Sequence, residues 1–130
     1  MKKNTKKPFK KKKPGIAKKS VIPNKKFRKH FRQGHAATGG HPVYIYDKKN
    51  DSYKFVGLTH STVTRDTINI KLDKNPNPKS DKSSYIRPKP DEKAATKKNF
   101  GKQLSGWSFA ESDKPKVQSV INKGKDKKKS

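Results

Sequence analysis

His60 stands between Thr59 and Ser61, at the end of the run Tyr53-Lys54-Phe55-Val56-Gly57-Leu58. An imidazole titrates near neutral pH and could take or give a proton there. The two flanking hydroxyls could donate to a non-bridging phosphate oxygen. Arg87, in Ser84-Tyr85-Ile86-Arg87-Pro88, carries a planar fork that matches a phosphate. Tyr85 lies two residues earlier, so on a strand it shares a face with Arg87 and could stack on a base. These groups fit internal transfer at an RNA phosphate. That reaction needs a base for the 2′-OH, a cation or amide for the phosphorane, and an acid for the 5′-oxygen. His60 would be the base or acid, with His41 as the reserve acid. The plainer reading gives His60 the job of capping a turn and leaves Arg87 as a phosphate contact without catalysis.

No other chemistry has a better claim. There is no phosphate-binding glycine loop and no His-Glu-x-x-His pair. Histidines 30, 35, 41 and 60, with no cysteine beside them, lack a zinc spacing, so neither metal nor cofactor is expected. The absence of cysteine also excludes disulfides.

The charge balance speaks more loudly than any motif. Lys and Arg number 36 against 10 acidic residues, a net charge of +26 on 130 residues. A field of that sign favours nucleic acid or an anionic membrane surface. Pro8, Pro14 and Pro23 interrupt the basic amphipathic helix that a membrane role would need. No apolar run approaches the roughly 18 residues that span a bilayer, and no secretory signal follows the basic start. The expectation is a cytoplasmic protein whose partner is RNA (or DNA), with no membrane; the sequence sets no oligomeric state.

Residues 1–40 read as a basic arm and a glycine-rich joint. Residues 1–33 hold fifteen cations and no acid, so like-charge repulsion predicts disorder. Within it Lys25, Lys26, Arg28, Lys29 and Arg32 would meet phosphates, and Phe27 would stack on a base. Arg65, in the polar loop after Ser61, is a further phosphate contact. Residues 124–130 form a second basic tail, expected to be disordered as well.

Residues 41–123 carry the pattern of a folded domain. Val43 and Ile45 alternate with Tyr44 and Tyr46, and Tyr53–Leu58 follows a short polar patch, which predicts a hairpin. Ile68, Ile70 and Leu72 alternate with Asn69 and Lys71, which predicts a third strand with one buried face. Tyr85–Arg87 is a short fourth strand. Phe100 and Leu104 allow one helical turn, and Trp107 and Phe109 would plug the core. Ser112 or Asp113 would cap a last helix bearing Val117, Val120 and Ile121, with Gly124 at its end. The expected core is Val43, Ile45, Phe55, Leu58, Ile68, Ile70, Trp107, Val117, Val120 and Ile121.

Strand, hairpin, Thr/Ser loop, Arg-bearing strand and terminal helix together resemble the MazF/PemK-like and ToxN-like endoribonuclease toxins. The matching stretches are Gly57-Leu58-Thr59-His60-Ser61, Ser84-Tyr85-Ile86-Arg87-Pro88 and Glu111-Ser112-Asp113-Lys114-Pro115-Lys116-Val117. The resemblance implies a mainly β fold with a C-terminal helix, built as a small SH3-like β-barrel. It implies metal-independent cleavage of single-stranded RNA through Thr59, Ser61 and Arg87, to which His60 is added by its own chemistry, and an antitoxin protein or RNA as partner. This chain departs from the family in its His60 insertion, in Gly40-His41-Pro42-Val43 at the opening strand, and in its long basic arm.

Overall fold

A computed structural model describes residues 21–23, 27–35 and 38–129, the last five by backbone alone. The expected disorder of the arm falls outside the described residues for 1–20 and 24–26. The fold is mainly β, an antiparallel sheet with one C-terminal helix.

Strand β3 (Ser52–Thr59) is the centre of the sheet. One edge pairs with β2 (Val43–Lys49) through a two-residue turn in which Asn50 takes φ 55°. The other edge is shared. Its first half pairs with β8 (Asp91–Ala94), and its last two residues pair with β7 (Tyr85–Ile86). Beyond β2 come β1 (His30–Gly34) and β9 (Phe100–Gln103), and beyond β7 comes β6 (Ile70–Lys71). No ladder joins β6 to β9 among the described residues, so the sheet stays open. A separate hairpin, β4 (Val63–Thr64) with β5 (Thr67–Ile68), projects from it.

Both faces of the central strands are covered. Val56, Leu58, Leu72, Ile86 and Phe31 meet Val117, Val120 and Ile121 of helix α1 (Lys114–Lys129). Val43, Ile45, Tyr53 and Phe55 alternate with the first set, so they face the opposite way, onto Ile22, Ala95 and Phe100. Full burial of each Val, Ile or Leu stabilises the fold by about 1.5–3 kcal/mol. The lysine-rich helix depends on its single stripe for that reason.

Several expectations are corrected. The domain begins before residue 41. His30–Gly34 is a strand between β2 and β9, with Phe31 buried, and Ile22 is a core residue. Burial of Phe31, its one large apolar side chain, gives this strand its driving force inside a cationic block. The joint is a tight loop in which Thr38 N and Gly40 N both donate to His35 O at 2.8 Å. A Cβ on Gly34 would collide with the His41 carbonyl oxygen. The third strand is broken at Asn69 into β5 and β6, which pair with different partners. Ile68 is consequently 76% exposed, and Ile70 and Trp107 are only partly buried. Phe100 belongs to a strand rather than a helical turn. The helix runs through Gly124 to Lys129, into the expected tail. Gly124 is an interior glycine, because a Cβ there would lie 2.6 Å from Pro90 Cγ.

The start of α1 is held from outside. Asp113 is fully buried, and its carboxylate accepts from Asp73 N at 2.7 Å, Lys74 N at 3.1 Å and Lys116 Nζ at 3.0 Å. It caps the loop after β6 rather than its own helix. The Ser112 hydroxyl donates to Asp73 Oδ2 at 2.6 Å.

Candidate nucleic-acid interface

Arg87 continues β7 by donating its backbone N–H to Gly57 O at 2.9 Å. Gly57 leaves space for the arginine stem, since a Cβ there would stand 3.2 Å from Arg87 Cγ. The guanidinium donates through Nη1 to Asn69 Oδ1 at 2.6 Å. Asn69 is buried and spends its amide on Ser61 O and Thr64 Oγ1, both at 2.9 Å. Thr59 Oγ1 accepts from Ser61 N at 3.2 Å. Asn69, which no motif in the sequence marks, therefore ties Arg87 to the Ser61 carbonyl, and Thr59 touches this network only through the Ser61 backbone N–H. The one signal of Asn69 was an amide, poorly suited to a strand, between Ile68 and Ile70.

Tyr85 pairs with Thr59 on one side and Lys71 on the other. Ile86 beside it is fully buried, which places Tyr85 and Arg87 on the opposite face of the strand from the helix. Arg65 sits at the exposed tip of the β4–β5 hairpin, where Arg65 and Asp66 take φ 47° and 65°.

His60 is turned to a different partner. It is exposed, and Nδ1 donates to Ser83 O at 2.9 Å, because a carbonyl only accepts. In the neutral ring this bond puts the lone pair on Nε2. His60 lines a cavity of about 60 Å³ with His41, Thr59, Asn75, Asn77 and Trp107. Arg87 and Ser61 are not among its walls. The structure thus brings His60, His41 and Thr59 together and leaves Arg87 in its own network.

At the other end of the sheet Arg28 and Lys29 are exposed, while Lys25 and Lys26 lie outside the described residues. Phe27 is half-buried against the core, with its ring 6.4 Å from Tyr53. Arg32 is anchored: Nη1 donates to Gly101 O at 2.8 Å and Nε to His30 Nε2 at 3.0 Å. His30 Nδ1 donates to Arg28 O at 2.6 Å. Burial, aided by the Arg32 charge and opposed by the Arg28 carbonyl, holds the His30 pKa below the ordinary 6.5.

Among the described residues, ion pairs hold only two cations. Lys114 meets Glu111 at 2.6 Å, and Lys116 meets Asp73 at 3.1 Å and Asp113 at 3.0 Å. Among the described residues no group of His, Asp or Glu could hold a metal, and none of their helices is long and apolar enough to cross a membrane. No family model, no curated protein and no solved structure matches the chain.

Proposed function

We propose that this chain binds single-stranded RNA, with phosphates taken by its unpaired cations and bases by the Tyr85–Arg87 face. The observation that carries the reading is the electrostatic imbalance of the folded body. Cations there outnumber carboxylates, and only Lys114 and Lys116 have an acidic partner within ion-pair distance among the described residues. Arg28, Lys29, Lys71, Lys93, Lys98 and Lys102 are left to face solvent ions or a polyanion. Phosphate contacts of this kind release counterions and make affinity fall with salt, with a log–log slope of about −0.7 per phosphate on a single strand. Tyr85 beside Arg87 favours unpaired bases, which a duplex would hide. In this reading the sheet serves as a small SH3-like body that presents the face.

The test is binding of a single-stranded RNA over a salt series. A slope near −4 is expected if about six phosphates are engaged. Salt-insensitive binding overturns the reading.

A second reading, endoribonuclease activity, is favoured by one observation: His41 and His60 line the same cavity. In it, His60 Nε2 takes the proton of a 2′-OH, whose oxygen attacks phosphorus. The P–O5′ bond breaks, a 2′,3′-cyclic phosphate forms, and His41 protonates the departing 5′-oxygen. Arg87 does not line that cavity, so the Thr59 hydroxyl would face the phosphorane. Cleavage of defined RNA that is lost in both His60→Ala and His41→Ala supports this reading; binding without cleavage removes it.

A further inference from the structure

A groove of about 440 Å³ opens between β1, the segment after β9 and helix α1. Its lining mixes polar and apolar side chains and includes the aromatic rings of Phe31, Tyr44, Trp107 and Phe109. Phe31 holds the set together, 5.0 Å from Tyr44, 5.8 Å from Trp107 and 5.0 Å from Phe109 between ring centroids. Lys29 and Lys114 also line it. Both are exposed, and Lys114 has one surface partner, Glu111.

We infer that an unpaired nucleobase of a bound single strand seats in this groove against Trp107. The inference rests on the nucleic-acid reading and adds a second, base-holding site to it. The volume lies in the range of small-ligand pockets, which run from about 300 to 1,000 Å³. The chemistry is that of a stacking platform beside cations, where a π-face meets the base and lysines meet the flanking phosphates. Charge complementarity selects the occupant: a neutral apolar peptide would offer Lys29 no counter-charge, whereas a nucleotide brings a phosphate to Lys29 and a base to the aromatic rings. Trp107 also lines the histidine cavity. A strand whose base enters the groove therefore passes within one side chain of His60 and His41.

The chain has one tryptophan, and it walls the groove, so its emission responds to an occupant there and the lysine variant below separates the groove from the histidine cavity. The experiment titrates the full chain with a short oligoadenylate and with an abasic strand of equal length, at low salt. The oligoadenylate is expected to quench the emission and to bind about tenfold more tightly or better, as one stacked base should give. The abasic strand is expected to bind with a similar salt slope and no quenching. A Lys29→Glu, Lys114→Glu double variant changes only exposed positions. Its circular dichroism should match the parent, and its quenching should be lost or strongly weakened. Equal binding of both strands with unchanged emission overturns the groove assignment and leaves cationic binding standing. Parent-like quenching in the double variant overturns it too. Emission that changes with protein concentration alone means a second copy fills the groove, which also overturns it. Failure of both strands to bind takes the nucleic-acid reading down with it.

Discussion

Arg87 and Asn69, eighteen residues apart in the chain, are joined by a 2.6 Å bond from Nη1 to Oδ1. The asparagine also spends both of its amide hydrogens, on Ser61 O and Thr64 Oγ1. One buried side chain thus holds the arginine fork, the loop after β3 and strand β4 of the projecting hairpin.

Asn69→Ala should destabilise the domain by about 1–3 kcal/mol, the usual cost of leaving buried groups unpaired. Its effect should be local first: amide exchange at Val63 to Ile68 should accelerate more than in β2. Denaturant melts and exchange rates check this. Unchanged exchange in the hairpin would mean that Asn69 does not anchor it.

Ile86→Ala should cost about 2–5 kcal/mol, because the side chain is fully buried against α1. Ile68→Ala, at a position 76% exposed, should leave the melting curve nearly in place. Equal losses in the two variants would contradict the break of the third strand at Asn69.

Gly124→Ala sets two effects against each other. Helix propensity favours alanine by about 1 kcal/mol. The new Cβ would meet Pro90 Cγ at 2.6 Å, and a proline ring has little room to yield. The contact should win, lowering the melting temperature, and Pro90→Ala in the same chain should restore it. A stabilised single variant would show that α1 has moved off Pro90.

Stability should fall on mild acidification. The folded state keeps His30 neutral, with a pKa below 6.5 because of burial first and Arg32 second. The unfolded chain then binds the proton more readily, so the contribution is whole above 6.5 and is lost as pH falls through the folded value. At lower pH Asp73 adds a second loss. Its carboxyl is held below 3.8 by the Ser112 hydroxyl first and Lys116 next, so that contribution disappears as pH falls below 3.8. Melts of the parent and His30→Gln across pH 4 to 8 check the first part, and the variant should lose the upper step.

Deletion of residues 1–20 should flatten the salt slope of RNA binding and keep selectivity, since phosphate contacts position rather than specify. The cut must stop there, because Ile22 is buried and His30–Gly34 is a strand. Tyr85→Ala should do the reverse, costing roughly 1–3 kcal/mol of affinity if the ring stacks while sparing the slope. Parallel titrations decide it, and selectivity lost with the deletion would refute the division.

The β2–β3 hairpin was legible because Val43, Ile45 and Tyr53–Leu58 combine strand-forming residues with a polar turn. The helix stripe was legible from the spacing of Val117, Val120 and Ile121. The β4–β5 hairpin was not, because Arg65-Asp66 takes left-handed φ without the Asn-Gly usual in such turns. Strand β1 was hidden by composition: Phe31 alternates with His30 and Arg32, and the cations around it read as repulsion. Of the candidate site, Thr59, Ser61, Tyr85 and Arg87 were readable as a strand-end cluster. Asn69 was not, because its role arises from contacts between segments far apart in the chain, whereas His41 was already named beside His60 and shares its cavity.

The position of β1 between β2 and β9 has a consequence for synthesis. A chain emerging from the ribosome makes β1, β2 and β3 early, yet the partner for the outer edge of β1 is Phe100–Gln103. Until those residues emerge, that edge offers free N–H and C=O groups to any neighbouring strand. The half-made chain is thus the species most open to self-association, and the positive flank at Arg28 and Lys29 acts as its guard, repelling copies of itself until β9 arrives.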